Sequence, residues 1–290
     1  MNIWFKWVAF ISFVLVAFPA AAQILPSNVP AAELVRQTVL NELVANDTAD
    51  QYMYRVHEDT PQGSEIRIMV ETRNLAISRL ILKNGQPLSP MRRQREEERL
   101  RDLLANPARL VKLQADKHTD DARARRVIQA LPDAFLFQHA GTERDNAGRE
   151  LPLVTFHPNP DFRPRSAELR VLQKVEGTML VDPVAMRFVR VKATLNQDVD
   201  FGWGIFDRIS RGGSFLLEQQ VVWHDQWELT TLALHYTNRR LLLITSHVDS
   251  VTKASDFRRM PDDLTLQQGF ESLLAHDPMT AVLPGSPKTP

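Results

Sequence analysis

The spacing of apolar residues changes several times along this chain, and each change marks a different kind of element. Between Pro30 and Asn46 apolar residues recur every three to four positions, which predicts a short amphipathic helix. From Tyr52 the period falls to two, and three extended runs follow, separated by a turn at 60–63 and by Asn84-Gly85. The pattern therefore predicts a helix followed by an antiparallel meander of three strands.

A charged helical insertion around residues 89–131 interrupts the extended runs. Ser89 is a good N-cap and Pro90 suits the first helical position, so we expect a charged helix that runs to about Leu104. A second helical stretch follows over 121–131, and Pro132 is expected to end it. Because Arg and Glu interleave at helical pair spacing in the first helix, a solvated face is favoured over a binding patch.

Extended runs and turns dominate the chain from Ala134 onward. We expect a short helical turn at 205–210 and a final short helix over 262–274. The fold class predicted is α+β, with one strongly curved antiparallel sheet of about nine to eleven strands and about two or three helices. The extended runs are 135–139, 151–156, 175–181, 184–192, 195–201, 214–223, 227–236 and 241–248.

The first 22 residues have the pattern of a secretory signal peptide. A basic residue precedes an apolar run over 7–18, and Ala20-x-Ala22 matches the small residues that signal peptidase requires. The run is shorter than the ~20 residues of a membrane span, so cleavage after Ala22 is favoured over an uncleaved signal anchor. We expect a periplasmic protein with a single domain over 23–276 and a disordered tail over 277–290.

The composition narrows the possible functions. The chain has 35 basic and 35 acidic residues, 8 histidines and no cysteine. Zero formal charge disfavours binding to nucleic acid, and the absence of cysteine excludes thiolate metal sites, disulfides and a lipid-modified cysteine. Removal of the signal peptide takes away Lys6 and leaves 34 basic against 35 acidic groups. The exported body is therefore nearly neutral.

No catalytic or metal site is indicated, and we expect neither an enzyme nor a cofactor. Paired histidines at helical spacing with an intervening Glu are absent, and Ser214 opens a strand instead of a nucleophile elbow. Asp198 and Asp200 share one face of a strand, which favours a solvated edge over a catalytic dyad. A hydrolase that uses His224 or His235, or a metal site that includes His247, is a weaker hypothesis.

Apolar and aromatic side chains are the distinctive feature of the C-terminal half. The simplest interpretation is the ordinary core of a half-buried sheet. The functional interpretation is a sheet too curved to close, with helices over its concave face, that encloses an apolar cavity for acyl chains. The candidate cavity residues are Met179, Met186, Phe188, Phe201, Trp203, Phe206, Phe215, Trp223 and Trp227.

One stretch resembles a known superfamily. In residues 174–191 a strand with a glycine ends in an Asp-Pro turn and is followed by a strand with two arginines, which resembles the periplasmic lipoprotein carriers of the LolA, LolB and RseB-like group. The matching positions are Gly177, Asp182, Pro183, Arg187 and Arg190. The likeness continues loosely through 198–204 and 212–215 and covers about half of the chain.

The resemblance implies an unclosed half-barrel whose concave face, covered by helices, binds the acyl chains of lipoproteins or a similar ligand without catalysis. The first functional hypothesis is therefore an exported, soluble, monomeric protein that binds a hydrophobic ligand or an acylated partner. The alternative is an envelope sensor or scaffold that uses the sheet and the charged helix as a protein-interaction surface. The helical insertion over 89–131 departs from the pattern of the lipoprotein carriers.

Overall fold

The computed structural model describes residues 29–46, 50–201, 207–240 and 244–275. The helices of these residues are α1 (Ala31–Asn46), α2 (Pro90–Leu104), α3 (Pro107–Ala134), α4 (Ala167–Arg170) and α5 (Leu266–Ala275), with a 3-10 turn at Val171–Lys174. The strands are β1 (Tyr52–Thr60), β2 (Gly63–Thr72), β3 (Leu75–Lys83), β4 (Gln86–Pro87), β5 (Phe135–Arg144), β6 (Glu150–Pro158), β7 (Val175–Asp182), β8 (Arg187–Leu195), β9 (Val199–Phe201), β10 (Asp207–Ile209), β11 (Ser214–Trp223), β12 (Gln226–Arg240) and β13 (Ile244–Arg259).

The strands form one large antiparallel sheet, which confirms the predicted α+β class. They are hydrogen-bonded in the order β4-β3-β2-β1-β13-β12-β11-β8-β7-β6-β5, with β10 beside β12 and β9 beside β10. Within the described residues this path starts at β4 and ends at β5, so the sheet is not closed. The described residues contain thirteen strands, more than the pattern predicted. Strand β4 has only two residues, too few to show a period, and β10 lies where a helical turn was expected.

The chain divides into two compact units. The first unit contains residues up to 49 and 120–252, and the second contains 50–119 and the residues from 253 onward. Helix α3 and strand β13 each continue from one unit into the other. The predicted domain bounds stay predictions, since the predicted signal peptide and the predicted tail both lie outside the described residues.

The second unit is built on the predicted meander. Strand β1 pairs with β2, with Val56 opposite Arg67, and β2 pairs with β3, with Met69 opposite Ser78. Helices α2 and α5 pack their apolar side chains against this sheet. The buried core consists of Met53, Ile68, Val70, Leu75, Ile77, Ile81, Leu82, Leu100, Leu103, Met260, Leu264, Phe270 and Leu273.

A buried arginine joins the sheet of the second unit to both of its helices. Arg79 on β3 donates from Nη1 to the carbonyl oxygens of Leu273 and Leu274, at 2.9 and 3.0 Å, near the C-terminal end of α5. Its Nη2 lies 2.9 Å from Oε1 of Glu97 on α2. The carbonyls at the end of a helix have no intrahelical partner, so this guanidinium satisfies groups that burial would otherwise leave unpaired.

The charged helix α2 was correctly placed, but its acidic side is not solvated as predicted. Glu96 accepts a hydrogen bond from the backbone N–H of Leu80 and pairs with Arg99, while Glu97 pairs with Arg79. Burial acts to raise the pKa of Glu96. The hydrogen bonds from Arg99 and from the Leu80 N–H, together with the charges of Arg99 and Arg67, nevertheless hold this pKa below its ordinary value. Helical pair spacing alone did not show that the sheet would face these carboxylates.

Three local predictions were wrong. Helix α3 begins at Pro107 and ends at Ala134, so Pro132 lies inside it. This proline is in the last turn, where few hydrogen bonds are lost, and neighbouring Leu131 packs against the core of the first unit. Residues 184–186 form a turn instead of the start of a strand, and 207–209 form β10 where a helical turn was expected. The short helix α4 was not predicted.

We expect Arg79→Met to destabilise the second unit by about 3–5 kcal/mol, the usual cost of breaking a buried ion pair. The methionine fills much of the volume but leaves the α5 carbonyls and Glu97 without their donor. Hydrogen exchange of the α5 amides, followed by mass spectrometry, measures the loss. Arg73→Met, at an exposed turn residue, is the matched control, and equal exchange in the two variants would contradict this role of Arg79.

Candidate functional site

Helix α1 covers an apolar face of the sheet in the first unit. Its side chains Leu34, Val35, Val39 and Leu43 recur at helical spacing and are all buried. They pack in one cluster with residues of the sheet, the last residue of α3 and one residue of the 3-10 turn. These other members of the cluster are Ala134, Phe135, Val154, Phe156, Leu172, Met179, Val181, Phe188 and Ala193. We call this set, without the helix, the covered face.

The covered face arises from the period of two in the strands that form it. Met179 and Val181 on β7 point to α1, while Leu180 between them belongs to a separate cluster with Leu151, Val189 and Trp227. The second half of β7 is therefore buried on both sides of the sheet. This is why Met179, Leu180 and Val181 are three consecutive apolar residues instead of alternating with polar ones.

The structure brings together four of the nine candidate cavity residues. Met179 and Phe188 are buried in the covered face, and Met186 and Phe215 are half-buried against it. The other residues lie elsewhere or outside the described side chains. Trp227 is buried in the second cluster, Trp223 is exposed beside His224, Phe201 is described only as part of β9, and Trp203 and Phe206 lie outside the described residues.

Two aromatic residues of the covered face were missed by the sequence analysis. Phe135 and Phe156 meet edge to face, with ring centroids 4.7 Å apart. Both had been placed on predicted strands, but only the pairing of β5 with β6 and β6 with β7 shows that they share a face with Met179. The register between strands was the missing information, because it decides which side of the sheet a residue occupies.

An amide side chain connects α1 to the turn between β7 and β8. Asn41 Nδ2 donates to the carbonyl oxygens of Ala185 and Met186, at 3.0 and 3.1 Å. Asp182 Oδ1 accepts from the backbone N–H groups of Val184 and Ala185, so the turn is held from both sides. Met186 has a φ of 49°, a left-handed conformation that costs energy for a residue with a long side chain.

A buried carboxylate lies next to this contact. Glu42 Oε1 accepts from the backbone N–H of Phe188 at 3.0 Å and from Gln219 Nε2 at 3.3 Å. Arg187 Nε lies 3.1 Å from the same oxygen, and its Nη2 donates to Gln219 Oε1 at 2.8 Å. Burial raises the pKa of Glu42, although Arg187 and the hydrogen bonds oppose the rise. We call Asn41, Glu42, Arg187 and Gln219 the latch.

The residues that carry the family resemblance have structural roles here. A Cβ at Gly177 would overlap the carbonyl oxygen of Lys192 on the neighbouring strand, so only glycine fits. Asp182 organises the turn that begins at Pro183, and Arg187 belongs to the latch. Arg190 pairs with Glu143 and Glu218, at 2.6 and 2.7 Å. The pattern therefore specifies a tightly paired hairpin.

Polar groups that were considered for catalysis or metal binding are paired in other ways. His235 Nδ1 lies 2.6 Å from Asp249 Oδ1, and His247 Nδ1 lies 3.0 Å from the hydroxyl of Thr237, each across two neighbouring strands at the surface. Asp198 and Asp200 both face Arg208. Among the described residues no group of three or more acidic, histidine or cysteine side chains could hold a metal ion.

Among the helices of the described ranges, none combines the length and the apolar character that are needed to cross a lipid bilayer.

The stability of the first unit should depend on the ionisation of Glu42. The folded protein holds its proton more tightly than the unfolded chain, so the free energy of unfolding should fall as the pH rises from 4.5 through the raised pKa. Glu42→Gln should lose this slope and be no less stable than the wild type at pH 8. Urea unfolding measured from pH 4 to 8 provides the comparison.

Glu33→Gln, at an exposed position of the same helix, is the control and should keep the slope. A large loss of stability in Glu42→Gln at pH 8 would show that attraction to Arg187 outweighs the cost of burial.

Gly177→Ala should destabilise the first unit by about 3 kcal/mol or more, because an added methyl group must separate β7 from β8. Thermal unfolding is the measurement, and Thr178→Ala on the same strand is the control. A Gly177→Ala protein as stable as the wild type would mean that the strands can separate there at little cost.

The likeness of this chain to known proteins is distant. No protein-family model and no curated protein matches this chain. Among solved structures, the chain is similar to the crystal structure of a DUF1329 family protein from Desulfovibrio piger, with 10% sequence identity and a TM-score of 0.28. The match covers 79% of this chain and 93% of that one. A TM-score this low carries no argument, so the half-barrel expected from the family resemblance stays a prediction.

Proposed function

We propose that this protein is an exported, monomeric binding protein that holds a hydrophobic ligand between α1 and the covered face. The ligand is a lipid or the acyl chains of a lipoprotein. The observation that carries the proposal is the composition of the covered face, on which one amphipathic helix lies over clustered phenylalanine, methionine and valine side chains. The signal peptide pattern supports export, and the proposal involves no reaction, cofactor or metal.

The chemistry of the covered face suits a flexible apolar ligand. Met179 and Met186 have unbranched side chains with several rotatable bonds, which adapt to ligands of different shape. Phe135 and Phe156 supply large apolar surfaces with no polar group that a hydrocarbon chain would leave unpaired. Each methylene that leaves water contributes about 0.8 kcal/mol, so an acyl chain needs no charged partner for tight binding.

The attachments of α1 are compatible with a helix that moves aside. The polar contacts that join it to the rest of the unit lie near its two ends. Asn41 and Glu42 make them at the C-terminal end. Just before the N-terminal end, the carbonyl oxygen of Val29 is hydrogen-bonded to His139 Nε2. Between them the contact is apolar and non-directional. A ligand that replaces this apolar contact therefore breaks only the polar contacts near the two ends of the helix.

Binding is tested with protein purified from the periplasm. Native mass spectrometry should show a lipid adduct, and the delipidated protein should take up a fluorescent fatty acid. A well-folded protein that carries no adduct and takes up no fatty acid would contradict the proposal.

Fixing α1 to the sheet should prevent uptake. The native chain has no cysteine, so Asn41→Cys combined with Ala185→Cys gives one pair that a short bis-maleimide can link. We expect fatty-acid uptake to fall at least tenfold after linking, because the helix can no longer leave the covered face. The measurement is the fluorescence of the fatty acid at equilibrium.

The control links Glu33→Cys to Gln37→Cys, two positions one turn apart that are hydrogen-bonded within α1. It applies the same chemistry without fixing the helix to the sheet. Equal uptake by the two linked proteins would mean that the ligand does not bind beneath α1.

A second candidate function is the envelope sensor or scaffold, for which α2 provides a specific surface. Met91, Arg92, Arg93 and Arg95 are exposed, and within the described part of the chain the three arginines have no ion-pair partner. Charge reversal at these arginines should remove a protein partner and leave lipid uptake unchanged. Glu96 and Glu97 are unsuitable for that test because they stabilise the second unit.

A further inference from the structure

Several hairpin turns of the first unit lie at the same end of its sheet. Arg149, in the turn between β5 and β6, extends to Asp182 before the turn between β7 and β8, with Nη1 and Oδ2 2.7 Å apart. Arg190 on β8 is opposite Glu218 on β11. Because these strands are antiparallel, the start of β8 and the end of β11 lie together. We call this end of the first unit the turn end.

The C-terminal part of α1 lies at the turn end as well. Asn41 bonds to the turn between β7 and β8, and Glu42 accepts from Gln219, four residues before the end of β11. The latch and the hairpin turns therefore occupy one small region of the first unit.

Exposed apolar side chains gather in this region. Eight large apolar side chains are strongly exposed in the described residues, and four of them are at or next to the turn end. Val184 is in the turn between β7 and β8, and Val221 and Trp223 are at the end of β11. Val44 is on α1, two residues after Glu42. Their exposed fractions are 79% for Val184, 48% for Val221, 51% for Trp223 and 63% for Val44. Such clustering marks a surface that contacts an apolar partner.

Two arginines at the turn end are each paired with two carboxylates of the protein. Arg149 lies between Asp145 and Asp182, at 2.7 Å from each carboxylate. Arg190 is similarly paired with Glu143 and Glu218. The exposed charges that remain in these hairpins, Arg144, Glu150 and Asp225, are of both signs and form no patch of one sign. This end therefore favours an apolar contact over an electrostatic one.

The turn end is also continuous with the covered face. Met186 lies in the turn between β7 and β8, two residues after the exposed Val184, and it packs against the core cluster beneath α1. Phe188, two residues further, is buried in the covered face. Apolar side chains thus lead from the exposed turn residues to the place proposed for the ligand.

From this geometry we infer that the turn end docks on a lipid bilayer, with Val44, Val184, Val221 and Trp223 inserted at its surface. Aliphatic side chains on turns and a tryptophan are the groups that enter the boundary between head groups and acyl chains. Docking there brings the covered face next to the bilayer, so that a lipid transfers without crossing water. The inference rests on the proposed function and adds the source of the ligand.

The first experiment measures flotation with vesicles of phosphatidylethanolamine and phosphatidylglycerol. The combined variant Val184→Ser, Val221→Ser and Trp223→Ser should reduce the vesicle-bound fraction at least tenfold. The matched control removes three exposed apolar side chains from other places, with Met91→Ser, Val111→Ser and Leu136→Ser. Equal loss in the two variants, or no loss in the first, would overturn the inference.

A second experiment uses the absence of native cysteine. An environment-sensitive fluorophore on Val184→Cys should shift to the blue and brighten when vesicles are added, while the same label on Val111→Cys should not change. The shift should persist with phosphatidylcholine vesicles and in 0.5 M salt, since the insertion is apolar. Docking that disappears in salt would show an electrostatic contact instead and would overturn the inference.

The two proposals fail in different ways. The turn-end variant should still take up fluorescent fatty acid from solution, because the covered face is unchanged. Uptake by the wild type without vesicle docking overturns only the bilayer contact. Labelled Val184→Cys that responds to an acylated peptide but not to vesicles would identify a protein as the partner and overturn it too. A wild type that takes up no fatty acid overturns the proposed function.

Discussion

The burial of α1 against the covered face is the interaction on which the first unit depends. The face carries aromatic and sulfur-containing side chains that water would solvate poorly, and the helix supplies the matching apolar surface. The strand register, the turn at Met186 and the latch all serve to bring this surface to the helix. Without α1, the first unit would expose a large apolar area on its sheet, which soluble proteins rarely do.

Both units fix a helix to a sheet with a buried arginine. In the first unit Arg187 on β8 pairs with Glu42 on α1, and in the second Arg79 on β3 pairs with Glu97 on α2 and donates to the end of α5. Apolar packing alone is non-directional, and a charged group with fixed donors selects one position among many of similar energy. The similarity ends there, because Arg79 also satisfies backbone carbonyls that have no other partner in the helix.

The sequence predicted the elements better than it predicted which residues meet. Local periodicity predicts the alternation in the meander and an apolar stripe of Leu34, Val35, Val39, Leu40 and Leu43 on α1. The structure has both, except that Leu40 is exposed. The covered face requires the pairing of β5, β6, β7 and β8, which depends on contacts distant in sequence. For that reason Phe135 and Phe156 were missed, and Trp227 was grouped with Met179 and Phe188 although it belongs to a separate cluster.

The energy of the helix cover decides whether a ligand could displace it. Full burial of an aliphatic side chain contributes about 1.5–3 kcal/mol, so the four buried side chains of α1 contribute roughly 6–12 kcal/mol to the contact. A C16 acyl chain buried in their place contributes about 12 kcal/mol at ~0.8 kcal/mol for each methylene. The two amounts are of similar size, so exchange of helix for ligand is near balance. The latch contacts of Asn41 and Glu42 then determine which state is favoured, because they are made only when α1 lies on the sheet.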